Sequence, residues 1–121
     1  MSIDWSQLIT KAMKDAATAA QALDTAKAEL AARNATAAAQ IARVQDRLDT
    51  LGYGVDIGEA TEDDEAELAS LTVSLEAWKA YKFALGKVTT KPSWPADPEW
   101  PVEPVAPVIV TDPMDRAVDT M

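Results

Sequence analysis

The sequence predicts an all-α protein. A long alanine-rich helix and a shorter helix form an antiparallel coiled-coil hairpin, and a proline-rich extended tail of polyproline II type follows. Three observations carry this reading. Residues 12–42 hold 15 alanines and neither Gly nor Pro. After a glycine-rich gap, large apolar residues recur at alternating spacings of three and four, the period of a helix face. All seven prolines lie between Pro92 and Pro113. The hairpin is placed at residues 1–88 (helix about 6–51, loop 52–60, helix about 61–87) and the acidic tail at 89–121. Charge divides at nearly the same points: net zero over residues 1–51, −5 over 52–88 and −4 over 89–121, for a total of −9.

The first helix follows from composition, because alanine has the highest helix propensity. Ser6 or Thr10 is placed to cap its start, and Gly52 and Gly54 are expected to end it. A heptad seam reads Met13, Ala16, Ala20, Leu23, Lys27, Leu30, Asn34, Ala37, Ile41, Val44, Leu48 and Leu51, with ten of the twelve apolar. Such a run is a coiled-coil signature. Lys27 and Asn34 fall at consecutive a positions. They either set register or mark a loosely packed or solvent-facing stretch.

In the loop, three glycines in seven residues (52–58) suit a turn between helices. Val55 and Ile57 are expected to tuck against the hairpin end. Thr61 and Asp64 have the spacing of a capping box. Glu62, Asp63, Asp64 and Glu65 occupy the first turn of the second helix, where the helix dipole favours negative charge. The second seam reads Leu68, Leu71, Leu75, Trp78, Lys82 and Leu85, widened by Tyr81 and Val88. Gly86 is placed to help end the helix.

At ~1.5 Å per residue the first helix is roughly 60–70 Å long and the second under 40 Å. Folded back, the second covers residues 27–51 and leaves residues 8–26 without an internal partner. An isolated alanine-rich helix of that size is marginal in water. Leu8, Ile9, Met13 and Leu23 therefore point to a second chain, including a homo-oligomer through the first helix.

In the tail, Pro92, Pro95, Pro98, Pro101, Pro104 and Pro107 recur every third residue, the period of polyproline II. On such a rod Trp94 and Trp100 share an edge about 19 Å apart. Val108, Ile109 and Val110 suit a short strand. The segment is either a stiff acidic linker or one that docks its tryptophans on the hairpin or on a partner; two tryptophans favour docking.

The composition excludes several function classes. With no Cys and no His there is no ordinary zinc site, thiol nucleophile or Ser-His-Asp triad. Of the 48% hydrophobic residues, many are alanines that bury little surface, too little core for a deep cleft. No enzymatic activity, cofactor or metal is expected. The acidic run from Glu59 to Glu67 lacks the central Gly of a calcium loop and reads as dipole complementation. The acidic balance disfavours nucleic acid and anionic membranes. No apolar run reaches ~20 residues, so no span is expected, and the opening residues lack signal-peptide features.

The run from Ala77 to Val88 carries Trp78, Lys79, Tyr81, Leu85, Lys87 and Val88, with Trp100 and Pro101 downstream. In this it resembles the C-terminal region of the phage tail fibre assembly proteins, the tail fibre chaperone family. There a helix carries a Trp-Lys-x-Tyr-Arg core, then Leu and a basic residue, and a Trp-Pro pair follows. Residues 57–65 and 3–10 also resemble segments of that family. Lys82 stands where an Arg is usual, Gly86 where an Asn is common and Thr89 where an Asp is common. Leu71, Thr72, Val73 and Ser74 look like an inserted turn. The resemblance implies a non-enzymatic viral protein that helps a trimeric tail fibre fold and assemble. It would act in the host cytoplasm and in some phages stay on the virion at the fibre tip. The residues expected to meet the fibre or the chain's own tail are Trp78, Tyr81, Leu85, Trp94 and Trp100. The alternative is a structural coiled-coil subunit of the tail or baseplate.

Overall fold

The computed structural model describes residues 5–109, with side chains described from residue 10. Among them the chain forms two packed helices and no strand: α1 (Trp5–Asp56) and α2 (Glu62–Leu85), followed by one 3-10 turn, Val88–Thr90. Ile109, expected in a strand with Val108, pairs with none; Val110 lies outside the described residues.

α1 runs five residues past its expected end, and the loop shrinks to residues 57–61. Each glycine costs a helix about 1 kcal/mol relative to alanine, which Gly52 and Gly54 do not convert into a stop. The stop is Gly58, at φ 75°, a conformation in which other residues are strained. Glu59 N and Ala60 N then both donate to Gly54 O, at 2.9 and 3.1 Å. The loop thus folds back over Gly54. It covers neither Val55 nor Ile57, which stay exposed, against expectation.

α2 starts on the expected capping box. Thr61 Oγ1 accepts from Asp64 N at 3.1 Å, and Asp64 Oδ2 accepts from Thr61 N at 2.9 Å. Those hydrogen bonds from Thr61, helped by Arg47, hold the Asp64 carboxyl below its usual 3.8. The sign follows from linkage. The carboxylate's contribution is fully present above the unfolded-state value and is lost as pH falls through the folded-state value. Acidification below about pH 4 is expected to loosen the start of α2. Asp64→Asn keeps an acceptor but no charge, so its melting temperature should fall less between pH 5 and pH 3, as followed by circular dichroism.

The two helices meet in opposite order along their lengths. Arg47 of α1 donates from Nε and Nη2 to the Glu67 carboxylate at 2.7 and 2.9 Å. Farther back on α1, Arg33 Nη1 donates to Tyr81 Oη at 3.3 Å, and Asn34 Oδ1 accepts from Lys82 Nζ at 3.0 Å. Two apolar clusters line the same helix pair. One gathers Val44, Leu51, Leu71, Leu75 and Ile109. The other gathers Ala37, Trp78, Tyr81 and Leu85, with Leu30 and Trp100 against it. Ile41 packs on both and makes them continuous.

The α1 seam is occupied as expected from Leu30 to Leu51, and Asn34 is its polar member. Asn34 Nδ2 donates to Leu30 O at 3.1 Å, so both ends of its amide are used. Lys27 is exposed and Ala26 is buried in its stead. On α2, Tyr81 holds the seam, while Lys82 is exposed at its flank. The apolar ring of Tyr81 packs between the helices, and the Lys82 ammonium reaches Asn34 from the flank.

Candidate partner-binding surfaces

After Leu85 the chain turns twice and comes back along the helix pair. Trp94 N donates to Lys91 O at 3.1 Å and Asp97 N to Ser93 O at 2.8 Å. Ser93 Oγ closes the same bend on Glu99 Oε2 at 3.0 Å. The bend brings the Trp94 and Trp100 rings to 6.3 Å, edge to face at 89°. The straight rod expected from the proline period would hold them about 19 Å apart.

Trp100 is seated on the helix pair. Its ring lies under the Arg33 guanidinium at 4.8 Å, a cation–π contact. Arg33 is also held by Glu29 Oε1 at 2.8 Å and by the Tyr81 hydroxyl. The hydrogen bond to Tyr81 and the carboxylate of Glu29 raise its pKa further, above an ordinary value at which a guanidinium is already always charged. Sequence reasoning missed Arg33. The available signal was its place beside the polar a position, Asn34, one turn from Glu29.

From residue 98 to 107 the proline at every third position is partly withdrawn from solvent. Pro98, Pro101, Pro104 and Pro107 are half-buried and Ile109 is buried. Between them Val102, Val105 and Val108 are bare, 92%, 90% and 72% exposed. Three β-branched apolar side chains therefore line one outer edge.

The residues expected to meet a partner divide into groups. Trp78, Tyr81 and Leu85 are buried within the helix pair, so their surface is spent internally. Trp78 meets Tyr81 edge to face at 5.7 Å. Its Nε1 is buried with no acceptor among the described residues. Trp94 and Trp100 are half-buried against one another and the pair. Met13 stands in water, 68% exposed. The side chains of Leu8 and Ile9 lie outside the described residues.

The first half of α1 is the second open surface. Every residue from 10 to 21 is exposed. The tail bend covers slightly more of the helix than α2 alone would: Ala26 is buried, and Ala22 and Leu23 are half-buried. There an open groove of about 510 Å³ separates Thr18, Ala22 and Ala26 from Pro95, Pro98 and Trp100. Its α1 wall also takes in Gln21, Thr25 and Glu29 and lies off the seam positions Ala16, Ala20 and Leu23.

Among the described residues no group of three or more His, Cys, Asp and Glu side chains is placed to hold a metal ion. No helix there is long and apolar enough to cross a membrane. What these surfaces offer chemically is apolar contact. No protein-family model, curated protein or solved structure matches the chain.

Proposed function

We propose that the protein is a non-enzymatic assembly chaperone of a phage tail fibre, or a cofactor bound at the fibre tip, which covers apolar surface on the unassembled fibre. In this reading the helix pair is an antiparallel coiled-coil hairpin and residues 98–109 are a polyproline II strap. The opposite order of the Arg47–Glu67 and Arg33–Tyr81 contacts supports the first. The burial of every third residue supports the second.

One observation carries the functional reading. The chain buries Trp78, Tyr81 and Leu85 yet leaves Val102, Val105 and Val108 bare on a segment that is itself held down. At three residues per turn the valines stand about 9 Å apart in a row. An apolar row kept ordered in water marks a protein-binding edge. The resemblance around Trp78, Lys79, Tyr81, Trp100 and Pro101 supports the fibre as its partner. Action in the host cytoplasm during assembly, with or without retention in the virion, belongs to the same reading.

Co-expression with the adjacent fibre gene tests it. Soluble trimeric fibre should require the protein. It should be lost when Val102, Val105 and Val108 are all changed to Ser. These exposed positions should each shift stability by no more than ~0.5 kcal/mol, so helicity serves as the folding control. An unchanged yield of trimer without the protein contradicts the proposal.

A further inference from the structure

We propose that the end of α2 and the turn after it form a docking face for an acidic segment of another protein, one that also carries a large apolar side chain. The proposal does not rest on the fibre reading. The chain has a net charge of −9, yet residues 77–96 hold Lys79, Lys82, Lys87 and Lys91 and no Asp or Glu. Lys82 Nζ is taken up, donating to Asn34 Oδ1 at 3.0 Å. Among the described residues none of Lys79, Lys87 and Lys91 is in an ion pair. A positive patch on an otherwise negative protein is complementary to negative charge and steers it in.

The apolar part of the face is Phe83. It is the one Phe of the chain, and it is 71% exposed. Gly86 and Lys87 keep helical backbone angles past the end of α2. Lys79, Phe83 and Lys87 therefore follow one another along one face, about 6 Å apart. Lys87 Nζ stands over the Phe83 ring at 5.3 Å, within cation–π range, so charge and apolar surface adjoin. Phe83 and Lys87 also line an open cleft of about 350 Å³ with Lys91 and Pro101. The turn that carries Lys91 is fixed: its N donates to Val88 O at 3.3 Å, and its O accepts from Trp94 N at 3.1 Å. Two carboxylates bear on the face. Glu99 lines the cleft and accepts from Ser93 Oγ through Oε2, and Glu76 precedes Lys79 by three residues. The lysines outnumber them. Polyanions fit less well. Sequence-tolerant nucleic-acid binding stacks successive bases on several aromatic rings, but Trp78 and Tyr81 are buried. A long nucleic acid or an anionic membrane would also feel residues 44–76, with ten acidic side chains against one basic. A short acidic segment engages the lysines alone.

The probe is a short fluorescent peptide of alternating Glu and Leu, with Glu-Ser and Ser-Leu peptides under the same label as controls. Titrated with the full chain and followed by anisotropy, the Glu-Leu peptide should bind at least about fivefold more tightly than either control. Its affinity should fall as salt rises from about 0.05 to 0.5 M. Phe83→Ser, and separately Lys87→Glu with Lys91→Glu, should each weaken it about tenfold. Lys14→Glu, far off on α1, should leave it unchanged. All four side chains are exposed, so helicity should hold in every variant. Failure of the Glu-Leu peptide to bind, equal binding of the three peptides, or an equal loss in Lys14→Glu would overturn the proposal. Tighter binding of a thymidine oligonucleotide or of phosphatidylserine vesicles through the same lysines would overturn it in favour of a polyanion. Self-association of the chain alone, abolished by Lys87→Glu with Lys91→Glu, would make a second copy the occupant and overturn it too. Trimer yield and the valine variants test the fibre reading separately.

Discussion

Trp78→Ala is expected to lower the unfolding free energy by about 3–5 kcal/mol, the usual range for emptying a buried Trp or Phe site. Trp78 is 1% exposed and joins Ala37, Tyr81 and Leu85 in one cluster. Ala37, the fully buried α1 residue of the cluster, is too small to refill the space. Against a typical total of about 5–15 kcal/mol, the variant should be partly unfolded at room temperature. Urea unfolding followed by circular dichroism measures it. Trp78→Phe should cost clearly less. It keeps much of the aromatic surface and removes an indole N–H that is buried without an acceptor, a group whose burial costs about 1–3 kcal/mol. If the two substitutions cost the same, the cluster is not packed around this ring as described.

The second large effect concerns the tail. Trp100→Ala and Ile109→Ala should each cost about 2–4 kcal/mol. They act at opposite ends of one segment: Trp100 on the Tyr81–Leu85 cluster and Ile109 on the Val44–Leu71 cluster. Sites this far apart are normally additive. Here the double variant should fall short of the sum, because a segment that docks as a unit loses no more than its whole docking energy. Truncation after Lys91 sets that ceiling and should equal the double variant within about 1 kcal/mol. Full additivity, with a much larger effect of truncation, would mean that the two anchors hold independently.

Much of the fold was legible in the sequence, for reasons that differ by element. The helices came from alanine content and spacing, which act locally. The Thr61–Asp64 box came from a four-residue pattern with one geometric meaning. The stop of α1 did not. Gly52 and Gly54 look like breakers, but only Gly58 takes up the left-handed conformation, and which glycine does so depends on where the loop returns. The aromatic stripe places Tyr81 in the core, where it is buried, and only a strict heptad count puts Lys82 on the seam, at whose flank it is exposed. The Trp94–Trp100 contact was out of reach for another reason. It arises from a bend fixed by Lys91, Ser93 and Glu99, and a uniform proline period conceals that bend. The candidate surfaces show the same limit. The sequence offers Trp78, Tyr81 and Leu85 both as seam residues and as partner contacts, and packing uses them internally. The outer edge fell to three valines at the other phase of the same period.

The central claim is that α1 outruns what its own chain can cover. Amide hydrogen exchange along α1, in dilute solution and again at high concentration, tests it most directly. Strong protection is expected from residue 30 to 51 under both conditions. Protection from residue 10 to 21 should be weak when dilute and rise with concentration. Uniform, concentration-independent protection from residue 10 to 51 would show that the helix needs no second protein, and would contradict the account.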